Sequence, residues 1–260
     1  MNIGRIGLLL VLSVLCAAPS AAQDTVPAAQ ALLEQFDELY RSAGTAARIE
    51  IRVERPKKVR TMQMRSWSQG EDKALVVIDA PARDAGTATL RVGNNLWNYL
   101  PKISRTIRVP PALMMGAWMG SDLTNDDLVR ESSYAHDYEI AGISPSEEPP
   151  GWQVDLAAKP EVPGLWERVE VVFGHTEQLP ILVRYYDRKG RLSRTMQLEE
   201  IKKIGGRLIP TRIVIVPERE ASTRAQPREG QRTVMTYLHV EFDIELDESL
   251  FSLAQLERRR

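Results

Sequence analysis

Thiols are almost missing from this chain: its 260 residues include one cysteine, Cys16. A lone cysteine excludes an internal disulfide framework, a CxxC redox pair and a multi-thiolate zinc site. Neither sign of charge is in excess, with 34 Lys and Arg against 35 Asp and Glu. That balance argues against nucleic-acid binding, which needs a basic surface. Past the first residues no apolar run is long enough to span a bilayer; the longest candidates are 74–78 and 113–119. Catalytic signatures are missing too. His136, His175 and His239 show no HExxH or His-x-His spacing, and neither GxSxG nor a P-loop occurs. A non-enzyme without cofactor, metal or catalytic residue is the expectation. Aromatics are scarce at 6%, yet five of them are Trp.

What is present reads as a secreted globular chain. The composition is 43% hydrophobic and 27% charged, which favours a packed core over disorder. Residues 1–22 have the pattern of a cleaved signal peptide: Arg5, an apolar stretch over 6–18, then Ser20, Ala21 and Ala22 before the cut. That stretch of about thirteen residues is short of the ~20 a spanning helix needs. Cys16 lies inside it. Leu15 precedes Cys16 where a lipobox needs a small residue, so lipidation is not expected. Residues 23–260 are read as a single domain.

One helix comes first. Leu32, Leu33, Phe36, Leu39 and Tyr40 recur at helical spacing within 30–41, and Gly44 is placed as its stop. The period then switches to two. Ile49, Ile51 and Val53 alternate with charged residues, so they share one strand face. The alternation returns at Ala88, Leu90 and Val92, and at Ile103, Ile107 and Val109. Leu90 and Val92 are expected to share the interior with Ile49. Two hairpins follow, around 187–190 and around Gly205-Gly206, and one long strand is expected through Val234, Thr236, Leu238, Val240, Phe242 and Ile244. Polar loops are expected at 144–151 and 217–231. Short links and no βαβ alternation predict mainly antiparallel β with helices, an α+β fold.

The middle breaks the pattern. After Pro110-Pro111 come Leu113, Met114, Met115, Trp118 and Met119. Methionine is flexible and polarizable, suited to varied apolar ligands, though such residues also simply plug cores. Next, Thr124 and Asp127 have capping-box spacing. Asp122, Asp126 and Asp127 could hold a hard cation, but acids in a first helical turn have a plainer role.

Within 86–130, two stretches carry a resemblance. They are Gly93-Asn94-Asn95-Leu96-Trp97-Asn98-Tyr99-Leu100-Pro101, and Arg105-Thr106-Ile107-Arg108-Val109-Pro110-Pro111 running on to Asp126-Asp127-Leu128. The chain resembles the LolA/LolB-like superfamily, in its outer membrane lipoprotein-sorting group. The resemblance implies an incomplete β-barrel of about eleven antiparallel strands, capped by an N-terminal helix and a helical lid. It implies a periplasmic carrier in a Gram-negative bacterium that holds acyl chains of a lipoprotein or lipid and ferries them towards the outer membrane. Implied partners are those acyl chains, an inner-membrane transporter of ABC or RND type and an outer-membrane acceptor; a monomer is expected.

The expected cavity and lid residues are Ile49, Ile51, Val53, Leu90, Val92, Trp97, Tyr99, Leu113, Met114, Met115, Trp118 and Met119. Arg48 and Arg52 are the candidates for a hydrogen bond to the lid. Two other readings remain open: a sensor or adaptor that binds a membrane complex such as an RND-type exporter, and a secreted hydrolase.

Overall fold

The computed structural model describes residues 27–129, 133–162, 166–218 and 230–258. The expected signal peptide with Cys16, and residues 219–229 of the polar loop, lie outside the described residues.

Helix α1 (Ala29–Glu38) comes first, with Leu32, Leu33 and Phe36 buried along one stripe. Six strands then run outwards as a meander: β1 (Thr45–Arg55), β2 (Lys58–Gln69), β3 (Lys73–Ala80), β4 (Ala88–Val92), β5 (Asn95–Leu100) and β6 (Arg105–Val109). A long connection carries two short helices, α2 (Asn125–Val129) and α3 (Tyr134–Asp137). Seven strands follow: β7 (Tyr138–Glu147), β8 (Pro150–Ala158), β9 (Arg168–Phe173), β10 (Pro180–Tyr186), β11 (Leu192–Ile204), β12 (Arg207–Pro217) and β13 (Arg232–Glu241). Helix α4 (Leu253–Arg258) ends the described chain.

All thirteen strands form one sheet in the order β6-β5-β4-β3-β2-β1-β13-β12-β11-β10-β9-β8-β7. The first and last strands pair at its middle, and β6 and β7 are its two free edges. The count exceeds the eleven expected because residues 138–158, including part of the expected Pro/Glu-rich loop, form the β7–β8 hairpin.

Residues 110–129 and 133–137 lie between the two edge strands in the sequence, and they pack over the sheet. They cross over the face that carries the main core. Side chains from β2 and β3 (Met62, Met64, Val76, Ile78) join those of β8 and β9 (Val154, Leu156, Val169, Val171) in one cluster with α1. A thirteen-stranded sheet brings such distant strands together only by curling, as twisted sheets do. The inner face is therefore a hollow, and the crossing segment is a strap across it.

The opposite face is covered differently. Leu75, Val77, Ala88, Leu90 and Tyr99 pack with Phe251 and Leu256 of the C-terminal tail, and Val92 and Trp97 lie against that cluster. Leu75 pairs with Leu90, and Leu90 with Trp97, so one face holds all three. This corrects the expectation that Leu90 and Val92 share an interior with Ile49. Strands β3 to β5 are apolar on both faces, and alternation alone does not say which one is inside.

Three further differences are local. The strand alternation in β13 breaks at a bulge: Arg48 pairs with His239 but Ile49 with Tyr237. An extra residue flips the parity. Met235 and Val240 therefore face the hollow, with Tyr237 packed against its core, while Leu238 is exposed. The strand ends at Glu241, before Phe242 and Ile244. Ile103 sits in a 3-10 turn before β6. Gly44 does not stop α1; a Cβ there would lie 2.0 Å from the Ile244 carbonyl oxygen, so it marks a close approach of two backbones.

Candidate functional site

The strap is seated by an apolar plug. Met114 joins Ala74, Leu96 and Val129 in a small cluster. Trp118 is 3% exposed and enters the main core with Leu123, its indole N–H 3.4 Å from the Thr89 hydroxyl. Leu128 and Met119 are half-buried against the same core. Thr124 and Asp127 form the expected capping box: the Thr124 N–H donates to the carboxylate at 2.7 Å, and the Asp127 N–H to the Thr124 hydroxyl at 3.0 Å. Among the described residues no group of three or more His, Cys, Asp or Glu is gathered to hold a metal ion.

Three arginines of the sheet grip the strap. Arg55, at the end of β1, forks onto Asp122 at 2.9 and 3.1 Å and donates to the Gly120 carbonyl at 3.1 Å. Arg60 of β2 donates to the Met119 carbonyl at 2.9 Å and pairs with Asp84 at 2.9 Å. The carbonyls gripped belong to a turn with positive φ at Met119 (49°) and Gly120 (72°). A left-handed methionine costs about 1 kcal/mol or more, so the grip holds a turn the chain does not favour by itself. Arg194 of β11 forks onto Asp127 at 2.5 and 2.8 Å and donates to the Asp122 carbonyl at 3.2 Å. Its guanidinium lies 4.2 Å from the Tyr185 ring centre and 5.0 Å from that of Trp166. The Thr233 hydroxyl donates to Asp122 at 2.7 Å and accepts from its N–H at 2.9 Å.

Strand parity explains the placement. Arg55 is the next inward position after Ile49, Ile51 and Val53; Arg60 is the one before Met62 and Met64; Arg194 is the one before Met196 and Leu198. Cross-strand pairing puts them at one end of the sheet: Val53 faces Arg60 and Thr233, and Arg194 faces Pro217. They form a cationic rim where the inward residues stop being apolar.

Electrostatics favours the closed strap. Burial by itself would raise the Asp127 carboxyl, but Arg194 and the Thr124 hydrogen bonds outweigh it and hold it below its ordinary value. Burial pushes the Tyr185 hydroxyl up to about 12 despite Arg194 beside it, and raises that of its neighbour Tyr134 well above the ordinary tyrosine value. Both hydroxyls stay neutral and meet at 2.6 Å. A second tie comes from α1: Asp37 accepts from the Ser133 hydroxyl and from the Tyr134 and Ala135 N–H groups at 2.5 to 3.0 Å.

Under the strap the hollow is nearly full. Two adjoining cavities remain, about 50 Å³ against Phe36, Leu123, Met196 and Met235, and about 70 Å³ against Ile49, Val76 and Leu128. Ligand pockets typically hold ~300–1,000 Å³. An open cleft of about 480 Å³ lies beside the strap, lined by Arg55, Met115, Leu123, Trp166 and Arg194.

The expected site residues fall into three sets. Ile49, Ile51, Val53, Met119 and Trp118 gather at the hollow, with Met114 beside it and Met115 in the cleft. Leu113 is 56% exposed on the strap. Leu90, Val92, Trp97 and Tyr99 lie on the far face under the tail. Arg48 and Arg52 are corrected as strap ligands: alternation with Ile49 and Ile51 turns both outward, and Arg52 pairs with Glu54 at 3.0 Å. The residues missed are Arg55, Arg60, Arg194 and Thr233; Asp122, named above as a possible cation ligand, is instead the partner of Arg55. The available signal was an arginine taking the next inward position of a strand.

The fold is similar to that of solved LolA superfamily and related structures. A LolA superfamily protein from Nitrosomonas europaea matches with TM-score 0.70 at 21% identity, over 88% of this chain and 100% of that one. A DUF1329 family protein from Desulfovibrio piger gives 0.74 at 23%, over 87% and 97%. A domain from Vibrio parahaemolyticus named for outer membrane lipoprotein sorting gives 0.71 at 20%, over 87% and 97%. The chain belongs to the family described as "-like: Uncharacterized protein", whose model matches residues 70–258. No curated protein matches.

Proposed function

We propose that this protein carries the acyl chains of a lipoprotein or another lipid through the periplasm towards the outer membrane. The observation that carries the reading is the way the hollow is shut. Its apolar inner face is closed by a strap whose plug, Trp118 and Leu123, is held down by ion pairs at the rim. Each CH₂ kept from water gains about 0.8 kcal/mol, so an acyl chain can replace Trp118 and Leu123 against the same side chains. Cavities of about 50 and 70 Å³ are too small for that, so loading requires the strap to lift.

No helix among the described residues is long and apolar enough to cross a membrane. The site set of this proposal is Ile49, Ile51, Val53, Met114, Met115, Trp118, Met119 and Leu123, with Arg55, Arg60 and Arg194 as latch. The test is saturable binding of a fluorescent fatty acyl probe to purified protein. Trp118→Glu, which puts a charge into the plug that an acyl chain must displace, is expected to tighten binding. Absence of saturable binding to the unaltered protein would refute the carrier reading.

A further inference from the structure

The rim arginines do not part with the strap on equal terms. Asp84, which pairs with Arg60, lies between β3 and β4 and stays with the sheet when the strap lifts. Asp122 and Asp127 are on the strap itself and leave with it. Lifting therefore strips Arg55 and Arg194 of both their carboxylates. Arg194 is the acute case: its side chain is 5% exposed, between Tyr185 and Trp166. A cation left there without a counter-ion is strongly destabilised.

The rim also has donors to spare before anything moves. The Nε–H groups of Arg194 and Arg60 are buried with no acceptor. A carboxylate offers two oxygens, which Asp127 already gives to the two Nη atoms of Arg194. The open cleft of about 480 Å³ reaches this point, with Arg55, Arg194, Ser193 and Gln231 in its wall. Leu123 lines both that cleft and the inner cavity, so it separates a polar anteroom from an apolar interior.

We infer that the cargo carries a phosphate-bearing head group, which takes the place of Asp122 and Asp127 on Arg55 and Arg194 while its acyl chain passes Leu123 into the hollow. This rests on the carrier reading and names the class of cargo within it. Phosphate suits the exchange because it is anionic, accepts through more oxygens than a carboxylate and is gripped by the guanidinium fork. It also makes release of the strap depend on ligand: a neutral lipid offers the arginines nothing in return, whereas a phospholipid replaces the lost pair.

The test compares palmitoyl lysophosphatidic acid with monopalmitoylglycerol, which share chain and glycerol and differ by the phosphate. Binding to the full protein is read by competition with a fluorescent acyl probe. The phosphate lipid is expected to bind at least ~10-fold more tightly, the worth of one or two charge-assisted hydrogen bonds. Arg55→Gln, at a side chain 28% exposed, should remove that advantage, read as the ratio of the two lipids' affinities for the same variant. Arg194→Gln is the stronger variant, and Arg55→Gln decides the matter if the buried position does not fold. Equal binding of the two lipids overturns the inference while the carrier reading stands. If the probe binds but neither lipid displaces it, the inference falls while the carrier reading stands; if the probe itself does not bind, both fall. Inorganic phosphate alone displacing the probe as well as the lipid does would assign the rim to a free anion and overturn the inference.

Discussion

Strands β3 to β5 are covered on both sides, and the two covers are built on different principles. On the far side Leu75, Leu90 and Tyr99 meet Phe251 and Leu256 of the tail, a contact of aliphatic and aromatic groups with peripheral polar ties such as Lys73 to Glu248 at 3.2 Å. On the near side Val76, Ile78 and Leu96 meet the strap, whose apolar plug is framed by Arg55, Arg60 and Arg194. Apolar cover has no direction and no alternative partner better than itself. Ion-pair cover has one: any anion of suitable shape competes for the same cations. The same three strands thus carry an apolar cover on one face and an ion-paired one on the other.

The sharpest way to break the comparison is to damage the fixed cover. Phe251→Ala, at a side chain 6% exposed, should lose about 3–5 kcal/mol in urea unfolding, with acyl-probe affinity of the folded protein unchanged. A drop in affinity matching the loss of stability would show that the faces are not independent. Asp127→Ala comes next. It leaves Arg194 buried and unpaired, and about 3 kcal/mol should be lost from strap closure. Hydrogen exchange should show the loss confined to amides of 114–128, with the tail unaffected.

Acid should do reversibly what Asp127→Ala does permanently. The Asp127 carboxyl is held below its ordinary value in the folded state, so its contribution is complete at pH values above about 4 and disappears as pH falls through the lower folded value. Trp118 fluorescence, a reporter inside the plug, should change in that acid range before the tail unfolds. The smallest effect belongs to an exposed ion pair away from the strap. Arg65 and Asp79, at 2.8 Å with both side chains largely exposed, face outward from β2 and β3, and Arg65→Gln should cost less than about 1 kcal/mol.

Much of the fold is legible from local chemistry. The stripe of Leu32, Leu33 and Phe36 gives α1, and Asp187 organises the predicted 187–190 turn by accepting from the Lys189 and Arg191 N–H groups. Gly205 and Gly206 both adopt the positive φ that the second turn requires. The capping box is as spaced. What stayed hidden is non-local. The face of Leu90 depends on a tail some 160 residues later in the chain covering it, which no strand period reports. The bulge opposite Arg48 inverts β13 because an extra residue slips the pairing there. The latch joins Arg55 to Asp122 and Arg194 to Asp127, partners 67 residues apart whose meeting follows from the sheet order.

That sheet order has a consequence for how the molecule comes into being. Its middle seam joins β1 to β13, with Arg232 reaching Glu54 across 178 positions of sequence. Closing so large a loop comes late and slowly, and before it closes β1 and β12 each present a bare strand edge. The two meanders can form as chain emerges, but the rim, assembled from β1, β2, β11 and β13, cannot. A chain ending before Arg232 would hold two unfinished half-sheets and no latch, so the rim assembles only once β13 has been made.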